Sequence, residues 1–166
     1  MLNFIKRLFI AQPAAVYHNK LYAEVLKLAK SFAPERFTSP SSTKEDRYAK
    51  FEVIALLMSH LMWQARLDPE TKIRATAAME AMFDDFDISL REQGVSDIRV
   101  GPEVRKLAAA FNGRQQRYFE AFSTGKAKDL EAALAHNWKI SASEAKALAK
   151  KLKNVNFPLV SQAKVG

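Results

Sequence analysis

Apolar residues recur every three or four positions along most of the chain, while strict alternation of the strand kind never persists. After Pro13, a residue suited to a first helical turn, Val16, Leu21, Val25, Leu28 and Phe32 predict a first helix ending at Pro34. Residues 39–43 read SPSST and form a linker, from which Thr43 can cap a second helix reaching about Leu67, with Asp46 in the capping-box position. The middle of that helix, FEVIALLMSHLMW, is apolar nearly all round, so it belongs in the centre of a bundle or offers a second face to something else. Asp68 and Pro69 open a third helix with Ala75, Met79, Met82, Phe83, Phe86 and Leu90 on its apolar face, and Gly94 stops it. Pro102 is read as the start of a fourth helix through Val104, Leu107, Ala108, Phe111, Tyr118 and Phe122 to Gly125. Gly113 costs that helix about 1 kcal/mol relative to alanine, which predicts close packing or a kink there. A fifth helix covers about 126–137, and Ser141 with Glu144 makes the capping box of a short sixth. No pattern follows Asn154. The prediction is an all-α protein, a single compact bundle of about six helices over 13–155, with an amphipathic basic segment at 1–12 and a tail at 156–166.

Composition narrows the class further. The 166 residues are room for one domain, and 48% hydrophobic with 27% charged residues is globular. Five glycines and six prolines are too few for the turns of a sandwich or barrel. The absence of cysteine removes disulfides, thiolate nucleophiles and cysteine-rich metal sites.

The net charge of +8 is concentrated at the ends: +4 over residues 1–34 and +5 over 132–166, against −1 between them. Such ends suit a phosphate-bearing partner, either an anionic membrane surface or RNA, though a plain basic solvent-exposed surface has the same composition. No apolar run is long enough to span a bilayer, and the beginning lacks a secretory signal's uninterrupted core. Drawn as a helix, residues 1–12 set Leu2, Phe4, Ile5, Leu8 and Phe9 opposite Lys6 and Arg7, as in a membrane-surface anchor or an arm that folds onto the domain.

Catalytic chemistry finds no footing. Glu80, Asp84 and Asp87 are spaced acceptably for a metal, but none of His18, His60 and His136 has the glutamate three residues earlier that a di-iron bundle uses. Asp87 is expected to pair with Arg91 one turn on, leaving the other acids to solvent or to Arg99 and Arg105. FSTGK lacks the first glycine and the strand of a phosphate loop. His60, inside the most apolar helix, titrates near neutrality, and a buried histidine with one partner is the simplest reading. The chain is therefore expected to be non-enzymatic, without cofactor or metal. Met58, Met62, Trp63, Met79, Met82, Phe83 and Phe86 give two methionine-bearing helical faces, suited either to core packing or to an adaptable client-binding groove.

One stretch resembles a known family. In Met79–Arg114, a phenylalanine-and-aspartate run precedes an Asp-x-x-Leu-Arg-Glu element, Gly-Val-x-Asp and a basic helix ending in Phe-x-Gly-Arg. The residues that carry it are Asp84, Asp87, Leu90, Arg91, Glu92, Gly94, Val95, Asp97, Val104, Phe111, Gly113 and Arg114. The pattern is similar to that of the ubiquinol–cytochrome c chaperone family, assembly factors of the respiratory cytochrome bc complex. Phe51–Leu67 fits an apolar helix of that family more loosely, and Asn112 stands where relatives often carry an aromatic. The resemblance implies an α-helical chaperone that holds newly made cytochrome b, or its membrane-proximal segments, before heme insertion. In mitochondria such proteins work beside the ribosome exit with a small partner protein. The short length and lack of a transit peptide suit a bacterial member acting in the cytoplasm, peripheral at the inner membrane. A helical RNA- or ribosome-binding module acting through the basic ends is the alternative, and a small helical enzyme comes third.

Overall fold

The computed structural model describes residues 19–38 and 44–158. Among them are six α-helices and a short 3-10 turn, with no strand: α1 Lys20–Phe32, the turn Pro34–Arg36, α2 Lys44–Ala65, α3 Pro69–Glu92, α4 Asp97–Thr124, α5 Ala127–Trp138 and α6 Ala142–Leu152. The amphipathic segment 1–12 and the cap at Thr43 lie outside the described residues.

Local chemistry sets the boundaries. Asn19 is extended and its side chain accepts from the amides of Leu21 and Tyr22, so α1 starts here; Pro13 and Val16 of the predicted first helix lie outside the described residues. Asp68 caps α3 by accepting from the Thr71 amide at 2.8 Å, with Pro69 in the first turn. Gly94, at φ 82°, closes α3: its amide bonds the Arg91 carbonyl, and the Val95 amide bonds that of Leu90. This is a Schellman motif, whose left-handed residue is strained for anything but glycine. Gly125 ends α4 at φ 64°, and Ser141 with Glu144 forms the expected capping box of α6.

Two expectations are corrected. Helix α4 begins at Asp97, placing Pro102 inside it. The residue before it is Gly101, which has no Cβ to clash with the proline ring, so the helical conformation a proline usually denies its predecessor is accessible. Of the two reasons expected for Gly113, close packing does not hold: a Cβ added at it would meet nothing within 4 Å.

Helix α2 occupies the centre, packed against α1, α3 and α4 and reaching α5. It is buried without interruption from Lys50 to Ser59, which explains a sequence with no polar face. Polar groups that the sequence did not mark lock the neighbours around it. The buried Tyr22 hydroxyl of α1 donates to Asp85 of α3 at 2.7 Å, and the Trp138 indole of α5 donates to the Tyr118 hydroxyl of α4 at 3.0 Å. Phe157, beyond the last sequence pattern, is buried in the core.

Candidate functional site

At the N-terminal half of α2 the bundle opens into a cleft of about 470 Å³, within the size range of ligand sites. Helix α2 contributes Arg47, Tyr48, Lys50, Phe51 and Ile54 to its walls. The end of α3 and the Gly94 turn supply Phe86, Leu90, Gln93 and Val95, and the first turns of α4 supply Arg99, Glu103 and Leu107. Leu90 and Val95 occupy the two Schellman positions whose side chains commonly touch, so the motif that ends α3 also makes an apolar wall. The floor is aromatic: Phe51 and Phe86 stand with ring centroids 6.0 Å apart.

The charges around this floor are unequal. Arg47, Lys50 and Arg99 face the cleft, against Glu103 as the one acid among the described lining residues. Glu103 is engaged by the Lys106 ammonium at 2.8 Å, and Arg99 makes no ion pair among the described residues. Lys50 is buried to 1% exposure; burial lowers its pKa, and the charge of Asp46 opposes that shift.

The walls are held by the residues of the Asp84–Arg114 pattern. Arg91 donates to Asp87 at 2.6 Å, as the spacing predicts, and also bonds Asp97, clamping the end of α3 to the start of α4 across the turn. Deeper, Arg114 grips the carboxylate of Glu52 on α2 through Nε at 2.7 and 2.8 Å and through Nη2. Burial still raises the Glu52 pKa, although hydrogen bonding to Arg114 pulls it down. Phe111 is buried against Phe83, with centroids 5.7 Å apart. Of the FDDFD acids, Asp84 faces solvent, Asp85 meets Tyr22 and Asp87 meets Arg91, so they diverge.

The seven side chains singled out for a client groove divide between core and surface. Met58 and Met82 are fully buried, and Phe86, which lines the cleft, is buried as well. Met62, Trp63, Met79 and Phe83 are half-buried. Helix α4 covers much of what the last group shows: Phe119 and Phe122 pack on Trp63 at 5.4 and 5.8 Å, and Phe111 packs on Phe83. Sequence reasoning missed Arg47, Lys50 and Arg99. The first two lie one turn apart on α2, the one readable signal, whereas Arg99 joins them only because α4 starts earlier than Pro102.

His60 lies at the other end of α2. Its Nε2 is 3.2 Å from the Val155 carbonyl and 2.8 Å from Gln64, and its ring packs against Phe122 and Phe157. Burial pushes its pKa below the ordinary histidine range, against the Val155 hydrogen bond. The C-terminal surplus of charge is exposed on α6 as Lys146, Lys150, Lys151 and Lys153 with the end of the helix.

None of the described helices is long and apolar enough to cross a membrane. A family model described as Ubiquinol-cytochrome C chaperone matches residues 47–156, from the first cleft residue on α2 to the residue before Phe157. No curated protein and no solved structure matches the chain.

Proposed function

Because the chain belongs to the ubiquinol–cytochrome c chaperone family, and is thus an assembly chaperone of the cytochrome bc complex, we propose that its client is cytochrome b, held by an apolar segment in the α2–α3–α4 cleft. The observation that carries this reading is an open apolar site, floored by Phe51, Phe86 and Leu90, inside the stretch that defines the family. A holding chaperone has no bond to make or break. It needs apolar surface that is exposed yet rigid, so that little entropy is lost on capture. The Schellman turn and the Asp87–Arg91–Asp97 clamp supply the rigidity.

Half-buried Met79 and Phe83 on α3 extend the apolar contact beyond Phe86 for a longer client. The basic residues of α6 and the segment 1–12 keep the protein at the anionic cytoplasmic face of the inner membrane, where the client emerges. The test replaces the chain in cells with Leu90→Glu/Leu107→Glu, two half-buried wall positions. The expected result is a protein with unchanged helicity and a large loss of assembled complex and of cytochrome b heme absorbance. A normal level of complex in that strain, or in a strain lacking the chain altogether, rejects the reading.

A further inference from the structure

We infer that the cleft selects a client segment by a carboxylate placed beside its apolar anchor: an Asp or Glu within one helical turn of a large apolar residue. The inference rests on the proposed client site and adds what that site recognises. Apolar burial alone asks for no charge at the rim, yet the exposed Arg99 lines the cleft, and the one acid among the described lining residues, Glu103, already has Lys106 as its partner. Arg99 stands at the rim without an ion pair among the described residues. A guanidinium beside an apolar floor forms a bidentate ion pair with a carboxylate, whereas an amide offers it one neutral acceptor and an apolar side chain none. Size points the same way: about 470 Å³ holds one or two large side chains and not a whole transmembrane helix.

The test uses the full-length chain and fluorescein-labelled synthetic peptides spanning the loops and span ends of cytochrome b from the same cell. Peptides with an acid next to Leu, Phe or Trp are compared with versions in which that acid is Gln or Lys. Anisotropy is expected to show the Gln version binding about tenfold more weakly, the scale of one hydrogen bond to a charged group. Arg99→Glu, at an exposed position, should weaken the acidic peptide and restore the Lys version. If acidic and Gln peptides bind equally and Leu90→Glu abolishes both, carboxylate selection is overturned and the client reading stands. If no peptide binds in a manner sensitive to Leu90→Glu, the client reading fails and the inference with it. If phosphatidylglycerol vesicles bind through Arg99 and displace every peptide alike, the cations serve lipid and the inference is overturned.

Discussion

Toward its C-terminal end, α2 carries Trp63 under the rings of Phe119 and Phe122, and His60 beneath Phe157 and the Val155 carbonyl. Toward its N-terminal end, the same helix turns Phe51 and Ile54 to an open cleft with Arg47, Lys50 and Arg99 around it. Both ends have apolar side chains in excess of what one core face needs. One end is covered by α4, Val155 and Phe157, with His60 Nε2 turned to the Val155 carbonyl and Gln64, while His60 Nδ1 is buried without a hydrogen-bond partner among the described residues. Among the described residues the other remains a cleft, lined by Arg47, Lys50 and Arg99. Phe51, Ile54 and Phe86 are themselves buried, so what the cleft offers a partner is its half-buried wall of Leu90, Val95 and Leu107 above them.

That contrast can be broken most severely at the closed end. Phe157→Ala should remove about 3–5 kcal/mol by opening a cavity under His60, read by urea denaturation. Leu90→Ala, at the half-buried cleft wall, should cost much less. Equal losses would mean that the cleft is as much core as the closed end. Next in size, Glu52→Ala leaves Arg114 without its carboxylate. With Glu52 6% and Arg114 21% exposed, the loss should be about 2 kcal/mol, below that of a fully buried pair.

The sequence made much of this legible and left particular parts hidden. Asp68–Pro69, Gly94, Gly125 and Ser141–Glu144 act through neighbours a few residues away, so helix ends could be read from them. Asp87 and Arg91 are one turn apart and pair as their spacing requires. Tyr22 and Asp85 are separated by 63 residues, and Glu52 and Arg114 by 62. No local rule joins them, and the acids of FDDFD therefore looked alike when one of them is buried. Pro102 misled because a proline signals a helix start unless the residue before it, here Gly101, can take the helical conformation. Phe157 had no periodic companions before it in the sequence, so its burial could not be read from spacing. The cleft was hidden for the same reason as the buried pairs: its cations come from two helices that meet only in the folded chain.

Smaller effects sharpen the comparison. His60 has a folded pKa below that of the unfolded chain, so its contribution to stability is complete above the unfolded value near 6.5. It is lost as pH falls through the folded value, because the unfolded chain takes up the proton first. The melting temperature should therefore drop by a few degrees between about pH 7.5 and 5.5, and His60→Gln should lack that part of the drop. An identical pH profile in the variant would show that the closed end does not exclude the charge. Smallest of all, Asp97→Ala removes one arm of an exposed clamp, 90% exposed at Asp97. The stability change should stay within about 0.5 kcal/mol, seen as an unchanged denaturation midpoint.

Cytochrome b, in this proposal, is held at the N-terminal half of α2. A photoreactive amino acid placed in the living cell at Leu90 or Leu107 in the cleft, and in parallel at His136 or Lys146 away from it, tests this directly. Cross-links to cytochrome b are expected from Leu90 and Leu107, with little or none from the other two positions. Adducts that form at His136 or Lys146 and are missing at both cleft positions would contradict the claim.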